Sequence, residues 1–235
     1  MSKTAIIIES RNHQALDFVV KNICDNLDSS WKIIIFCGEY NESFCQNIAK
    51  AINADRISVK NIDLPTRLND NSYSKILCDK KLYDYIPTNT FLVFQTDTMI
   101  NNSCNHYIDR FLDYDYIGAP WQEFQEVGNG GFSLRKKDKC LEILDKIPYK
   151  HGVYEDRYFS LTFDKPYSKK ECLKYKEQIS LNKPTLDQAK HFSVETIFCE
   201  DFFAVHKPWW WQKKNKLKIL KEKCVGLDKL IALQK

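Results

Sequence analysis

The hydrophobic positions in the first sixty residues change between two spacings, and this change predicts the fold. Short apolar runs at 4–8, 31–37 and 56–59 have the length and composition of buried strands. Between them, the segments 13–27 and 42–52 carry apolar residues at helical spacing, and Asn12 is the predicted cap of the first helix. The resulting β-α-β-α-β order predicts a parallel sheet with helices on both faces.

A further buried strand is predicted at 91–94, where the run FLVF is followed by Gln95, Thr96 and Asp97. Ligands bind at the carboxyl edge of open α/β sheets, so we expect Asp97 to face a ligand site. Later in the chain, the pattern predicts helices at 72–85, 107–112 and 136–147, and strands at 114–117, 131–134, 194–198 and 202–205. Thr185 is expected to cap a short helix, and the lysine-rich segment 164–184 is expected to be mostly loop.

Composition narrows the class of protein. A hydrophobic content of 43% is ample for a packed core. The nine cysteines include no C-x-x-C pair, which argues against a zinc site and for reduced, buried thiols. No apolar run approaches the ~18 residues that span a bilayer, and the apolar run at 5–8 is too short for a signal-peptide core. These features predict a cytoplasmic protein.

The charge is distributed unevenly between the body and the tail. From residue 207 onward there are nine lysines against two acidic residues, a balance of +7, so residues 1–206 carry −3 of the net +4. A nucleic-acid-binding stripe across the body is therefore not expected. We predict a domain at 1–206 and a basic, tryptophan-rich helical tail at 207–235. The tail's apolar face predicts docking on the domain, with peripheral membrane contact as the alternative.

Two residues are candidates for holding a metal ion. Asp97 is either a helix cap or a carboxylate ligand of a divalent cation. His206, which precedes Lys207, Pro208 and Trp209, would add an imidazole if the chain brings it to Asp97. A mixed carboxylate–imidazole pair favours Mn²⁺ over Mg²⁺.

Other residues are candidates for acid–base work and for binding a sugar. Glu155 and Asp156 could supply a general base, or they could simply form a solvated helix face. Asn129 with Gly130 and Gly131 could let the backbone and an amide approach sugar hydroxyls, or could form an ordinary turn.

The chain resembles a poorly characterised family of glycosyltransferase-like proteins in a set of short strings that occur in the same order. These strings are VFQTDT, YDYIGAPW, VGNGGFSLR, EDRYFS, the A-x-x-F-S-V-E run at 189–195, and AVHKPW, and the resemblance covers about 31–209. More broadly, the chain is similar to the metal-dependent nucleotide-sugar transferases of the GT-A fold. The resemblance implies an α/β fold with a central, mostly parallel mixed sheet flanked by helices.

The resemblance also implies roles for individual residues. Gln95-Thr96-Asp97 stands where those enzymes carry D-x-D, with Gln95 in place of the first aspartate. Asp97 and the late His206 would hold Mn²⁺ or Mg²⁺, and Asp156, beside Glu155, would be the base. Toward the nucleotide donor we expect Glu9, Arg11, Gln95, Thr96 and Lys207, and toward the sugar Trp121, Asn129, Gly130 and Gly131.

The function predicted from these features is metal-dependent glycosyl transfer. The donor would be a nucleoside diphosphate sugar, with a UDP-sugar favoured, and the acceptor a glycan or another hydroxyl compound. The alternative is a non-catalytic module with the same fold that binds a nucleotide or carbohydrate. A phosphoryl-transfer enzyme is disfavoured, because the chain has neither a G-x-x-x-x-G-K-[ST] loop nor clustered carboxylates for two metals.

Overall fold

A computed structural model describes residues 2–163 and 165–234 as an α/β structure. In chain order, its strands are β1 (Lys3–Ile8), β2 (Trp31–Cys37), β3 (Ile57–Asn61), β4 (Thr90–Phe94), β5 (Thr98–Ile100), β6 (Tyr116–Gly118), β7 (Pro120–Trp121), β8 (Glu126–Val127), β9 (Phe132–Lys136), β10 (Ser193–Val194) and β11 (Ala204–His206). Its α-helices are α1 (Leu16–Asn26), α2 (Glu42–Asn53), α3 (Asp70–Leu77), α4 (Lys80–Asp84), α5 (Lys137–Lys146), α6 (Glu155–Phe159), α7 (Lys169–Gln178), α8 (Leu186–Ala189), α9 (Lys214–Lys223) and α10 (Leu227–Ala232).

The central sheet has six strands in the order β3-β2-β1-β4-β9-β6. The first four are mutually parallel, whereas β9 runs antiparallel to both β4 and β6. The register pairs Phe94 at the end of β4 with Phe132 at the start of β9. The carboxyl ends of β1 and β4 and the amino end of β9 therefore meet at one edge of the sheet.

The alternation of side chains along β1 shows how the sheet separates two hydrophobic layers. Ala5 and Ile7 pack into a cluster with α1, α2 and the C-terminal helices. Ile6 and Ile8 pack into a second cluster, which includes residues of α4, α5 and α6. Both faces of the sheet are buried, as expected for parallel strands with nearly continuous apolar sequences.

Two smaller sheets complete the edge where the strands end. Strands β10, β11 and β5 form one of them, and β11 pairs antiparallel with β5 so that His206 lies opposite Thr98. Strands β7 and β8 form a two-stranded ribbon. The first small sheet thus brings His206, from the later part of the chain, next to the segment that follows β4.

Several predicted elements differ from the structure. Asn12 does not cap α1, because that helix begins at Leu16 and no side chain caps it. The helix predicted at 72–85 is divided into α3, which ends at Leu77, and α4, which Asp79 caps. The strand predicted at 194–198 is limited to β10, and the helix predicted at 107–112 is part of a 3₁₀ segment, Asn102–Phe111.

The prediction that segment 164–184 is mostly loop was wrong, because about half of the segment forms α7. That helix begins with a capping box in which the Ser168 side chain accepts from the Glu171 amide, and the Glu171 carboxylate accepts from the Ser168 amide. Asp164, at the start of the segment, lies outside the described residues. The prediction that Thr185 caps a short helix is confirmed by α8.

The C-terminal tail forms α9 and α10. Leu220, Cys224, Leu227 and Leu230 are fully buried in the same cluster as Ile7, so the tail's apolar face packs on the body of the protein. Among residues 2–163 and 165–234, no helix combines the length and apolar character needed to cross a membrane.

Candidate active site

Asp97 and His206 meet at the carboxyl edge of the sheet, as their candidate roles require. Asp97 lies in the turn between β4 and β5, and the pairing of β5 with β11 brings His206 beside it. Asp97 Oδ1 is 3.4 Å from His206 Nε2. The next amide in the chain, that of Lys207, donates to the Asp97 carbonyl at 2.9 Å, which fixes the two segments together.

A second carboxylate faces the other nitrogen of the same imidazole. Glu195 Oε1 lies 3.3 Å from His206 Nδ1, and both side chains are almost completely buried. Burial alone would lower the pKa of His206, but the flanking carboxylates of Asp97 and Glu195 outweigh it and raise that pKa to about 9. Glu195 belongs to the quoted A-x-x-F-S-V-E run, yet the sequence carried no signal that it would face His206.

Two side chains of this cluster, Asp97 and His206, carry buried donor atoms of the kind that bind divalent cations. Asp97 Oδ1 and both His206 nitrogens are buried with no hydrogen-bond partner. A metal-binding histidine commonly presents its second nitrogen to a carboxylate, the position that Glu195 occupies. Within the described residues, no group of three or more His, Cys, Asp or Glu side chains could hold a metal. A cation held by Asp97 and His206 would need ligands from outside the protein to complete its coordination.

Gly131 leaves the space that the His206 ring occupies. A Cβ at this position would collide with Cε1 and Nε2 of the ring and would crowd the Gln95 side chain. Only glycine lets the backbone approach this closely. Gly131 therefore belongs to the site through His206 as well as through the cavity that it lines.

Beside the metal-binding candidates lies a cavity of about 220 Å³, here called the central cavity. It brings together seven of the predicted site residues: Gln95, Asn129, Gly131, Glu155, Asp156, His206 and Lys207. Four further residues line it that sequence reasoning missed: Asp70, Tyr73, Ser74 and Tyr154. Three of those four belong to α3, whose position over the sheet edge could not be read from its polar sequence.

Asp156 is a carboxylate of the central cavity whose pKa is strongly raised. Burial, and next the charge of Glu155, raise the pKa of Asp156 to about 7. Its oxygens accept hydrogen bonds from the amides of Gly130, at 3.3 Å, and Arg157, at 2.7 Å. A carboxylate with a pKa near neutrality is well suited to accept a proton from a hydroxyl group.

Glu155 is engaged in a buried ion pair. Arg135 Nη1 donates to Glu155 Oε2 at 2.6 Å, and the Arg135 side chain is fully buried. The guanidinium lies 5.1 Å and 5.4 Å from the ring centres of Tyr116 and Phe159. Glu155 thereby anchors α6, the helix that carries Asp156, and adds the negative charge that raises the pKa of Asp156.

A second cavity, of about 210 Å³, adjoins the first and is lined by four of the five predicted nucleotide-binding residues, all except Lys207. We call it the outer cavity; Glu9, Arg11, Thr96 and Asp97 line it, and it shares Asp70, Tyr73 and Gln95 with the central cavity. Arg11 donates to both carboxylate oxygens of Glu9, at 2.8 and 2.9 Å. Asp97 lines the outer cavity and His206 the central one, so their pair lies at the boundary between the two.

The other two predicted sugar-binding residues, Trp121 and Gly130, do not line the central cavity with Asn129 and Gly131. Trp121 lines a third, larger cavity of about 710 Å³, which also contains Phe124 and Trp211 and is here called the aromatic cleft. The cleft shares Asn129, Tyr154 and Lys207 with the central cavity. Gly130 lines none of the three and acts through its amide on Asp156.

The sequence model of the DUF5672 family, proteins of unknown function, matches residues 56–208. The chain belongs to this family. No curated protein shows significant sequence similarity to it. The part of this DUF5672 chain that matches the family includes Asp97, Asp156, Glu195 and His206, whereas the outer-cavity residues Glu9 and Arg11 precede it.

Two solved structures of the glycosyltransferase GlyE share the fold of this DUF5672 chain. The apo form of glycosyltransferase GlyE from Streptococcus pneumoniae TIGR4 matches with a TM-score of 0.55 and 11% identity over 99% of this chain and 63% of GlyE. A second GlyE structure gives 0.51 and 13% with the same coverage. S. aureus TarS 1–349 in complex with UDP-GlcNAc gives 0.48 and 12% over 68% of this chain and 52% of TarS.

The likeness to GlyE confirms the predicted GT-A-like fold, a mostly parallel mixed sheet flanked by helices. At 11% identity it concerns the fold alone. The chain spans 63% of the length of the GlyE chain.

Proposed function

We propose that this DUF5672 chain is a glycosyltransferase that uses Mn²⁺ or Mg²⁺ to transfer a sugar from a nucleoside diphosphate sugar, a UDP-sugar in the first instance, to a hydroxyl acceptor. One observation carries the proposal. The Asp97–His206 pair lies at the boundary of two adjoining cavities, and Asp156, a carboxylate with a pKa of about 7, faces one of them. The shared fold with GlyE, a glycosyltransferase, supports it.

The two cavities suit the two halves of such a donor. In the outer cavity, the polar side chains of Glu9 and Arg11 offer hydrogen-bonding groups to a ribose and base. In the central cavity, the amides of Gln95 and Asn129 can bind the hydroxyls of a sugar. The diphosphate between them would lie at Asp97 and His206. A cation bound there would offset the negative charge that develops on the departing diphosphate.

Asp156 then has a defined task in the transfer. The acceptor oxygen forms a bond to the anomeric carbon of the sugar, its proton passes to the Asp156 carboxylate, and the electron pair of the broken bond leaves with the diphosphate. Lys207, which lines both the central cavity and the aromatic cleft, would place a positive charge beside the leaving group. A base on the acceptor side is the arrangement that direct displacement with inversion requires.

The first experiment is a thermal-shift panel of nucleoside diphosphates and their sugar conjugates, each with and without Mn²⁺. A ligand at ~100 times its Kd adds about 2.7 kcal/mol to the stability of the folded state, so a donor should give a clear shift. We expect one diphosphate to stabilise the protein in a metal-dependent way, and Asp97→Asn to remove that dependence. Asp25→Asn, an exposed position on α1, is the matched control. A panel without any shift, or a metal-dependent shift unchanged in Asp97→Asn, would contradict the proposal.

One observation favours the alternative of a non-catalytic binding module. Gln95 places a neutral amide, and not a second carboxylate, in the wall shared by the two cavities. The two functions differ in turnover. Metal-dependent nucleotide binding without release of nucleoside diphosphate, even with a broad panel of acceptors, would identify the binding module.

A further inference from the structure

The aromatic cleft is the largest of the three connected cavities, and its lining includes none of the residues proposed to bind the ribose, the base or the cation. Its volume of about 710 Å³ falls in the range of about 300–1,000 Å³ that small-molecule sites occupy, whereas the central cavity measures about 220 Å³. Because Asn129, Tyr154 and Lys207 line both, a molecule in the cleft reaches the central cavity that contains Asp156.

The cleft collects exposed aromatic rings, which a protein surface normally avoids. Phe124, Tyr154 and Trp211 are 38%, 46% and 58% exposed. Trp121 meets Phe124 edge-on, with ring centres 5.8 Å apart, and the Arg157 guanidinium lies 4.4 Å from the centre of the Phe124 ring. Exposed aromatic groups gathered in one concave surface indicate a ligand that has flat apolar faces.

The walls of the cleft are held in place by hydrogen bonds between separate parts of the chain. The Thr196 hydroxyl accepts from the Gln122 amide at 3.1 Å and donates to the Pro120 carbonyl at 2.9 Å, which ties the β7–β8 ribbon to the segment after β10. The Gln212 side chain donates to the Glu195 carbonyl at 2.6 Å, which fixes the segment that carries Trp211. The aromatic groups are therefore presented by an anchored surface.

The charges in the cleft are balanced. Arg157 and Lys207 contribute two positive charges, and Glu123 and Glu195 contribute two negative ones. Such a lining has no net preference for an anionic or a cationic ligand. It combines aromatic faces with the amides of Gln122 and Asn129, which donate and accept hydrogen bonds.

We infer that the aromatic cleft is the acceptor site and that it binds a neutral saccharide. The C–H faces of the sugar rings would pack on Trp121, Phe124 and Trp211, and the amides would bind the hydroxyls. One hydroxyl would then point past Asn129 and Tyr154 toward Asp156. This inference rests on the proposed function for the role of acceptor, but binding of a saccharide to the cleft can be measured separately.

The test uses the full chain and saturation-transfer-difference NMR with maltose, cellobiose, lactose and chitobiose as neutral probes, and a heparin-derived oligosaccharide as the anionic one. We expect at least one neutral probe to bind, and Trp211→Ala to weaken that binding at least about tenfold, or about 1.4 kcal/mol. Phe124→Ala should act in the same direction. Trp210→Ala is the matched control, because Trp210 is 75% exposed next to Trp211 but does not line the cleft.

The outcomes separate this inference from the proposed function. If the chain binds a nucleotide but none of the neutral probes, or prefers the anionic probe, the saccharide assignment is overturned and the transferase proposal stands. Equal loss of binding in Trp210→Ala and Trp211→Ala would also overturn it. If a neutral probe binds through Trp211 while no nucleotide binds, the inferred saccharide site stands and the transferase proposal fails.

Discussion

Replacing Asp156 by asparagine tests whether the pKa of this carboxylate is raised, and the test needs no ligand. In the folded protein, burial and the charge of Glu155 raise the pKa of Asp156 from 3.8 to about 7. One pKa unit corresponds to about 1.4 kcal/mol, so ionising Asp156 destabilises the folded state by about 4 kcal/mol relative to the unfolded state. Asparagine has nearly the same shape but never carries the charge.

The sign of the effect follows from proton binding. Between pH 3.8 and about 7 the folded state holds a proton on Asp156 that the unfolded state has released. The wild-type protein is therefore most stable, with respect to this group, below pH 3.8, and it loses that stability as the pH rises to about 7. Asp156→Asn removes that dependence. An asparagine oxygen can accept from only one of the two amides, at Gly130 or Arg157, which costs about 1 kcal/mol at every pH. That cost does not change with pH, so the stability of the variant relative to the wild type should rise by about 3 kcal/mol from pH 5 to pH 8, as the wild-type folded state approaches and passes the pKa of Asp156.

The assay is urea unfolding followed by tryptophan fluorescence at pH 5, 6, 7 and 8. Glu171→Gln is the control, because Lys150 lowers the pKa of Glu171 to about 2 and the stabilisation it provides is lost only as the pH falls below 4.5. Glutamine also keeps the capping box of α7. The difference between this control and the wild type should be constant from pH 5 to pH 8. A constant difference for Asp156→Asn as well would refute the reasoning.

Three further substitutions test the architecture around the site. Gly131→Ala should displace the His206 ring and abolish metal-dependent nucleotide binding in the thermal-shift assay, because its Cβ would collide with that ring. Glu195→Gln should weaken Mn²⁺ binding about 10–100-fold, measured by titration calorimetry, since the neutral amide orients His206 less firmly than the carboxylate. Arg135→Met should destabilise the fold by about 3–5 kcal/mol in urea, because the buried Glu155 charge loses its partner.

Each of these substitutions has a matched comparison. Gly152→Ala introduces a side chain where nothing lies within 4 Å, so it should leave nucleotide binding intact, although its positive φ lowers stability. Glu200→Gln removes an exposed carboxylate that pairs with Lys223 and should not change Mn²⁺ affinity. Unchanged Mn²⁺ affinity in Glu195→Gln, or Gly131→Ala that binds nucleotide like the wild type, would show that His206 is not held as described. Adding Glu155→Gln to Arg135→Met should recover part of the lost stability, and no recovery would contradict the ion-pair explanation.

The sheet was predictable because its strands are buried on both faces. The run WKIIIFC at 31–37 coincides with β2, since a nearly continuous apolar run flanked by polar residues leaves few alternatives. Asp97 follows the equally apolar strand β4, so the sequence also predicted its position at the carboxyl edge of the sheet. Helix α7 was missed because the sequence KKECLKYKEQ has almost no apolar face, and only Tyr175 in it is buried. Its capping box was the one visible signal.

The residues that the sequence could not place are those whose position depends on partners far along the chain. Arg135 lies in a strand where a buried charge is unexpected, and only the distant Glu155 explains it. The resemblance implied that Trp121 and Asn129 both face a sugar. The β7–β8 ribbon places Trp121 in the aromatic cleft, and Asn129 lines both that cleft and the central cavity, an arrangement that depends on strand pairing and could not be read from the sequence.

The reversed direction of one strand explains how residues from distant parts of the chain come to line the central cavity at this edge of the sheet. If β9 ran parallel to β4, its amino end and the glycines before it would lie at the opposite edge, far from Asp97. Because β9 is antiparallel, Gly131 lies beside Gln95, and the backbone of the NGG segment closes the central cavity. The β5–β11 pairing then adds His206 and Lys207 to the same edge. The cavity-lining residues before position 100 and those after position 120 therefore meet where these two antiparallel pairings join the parallel sheet.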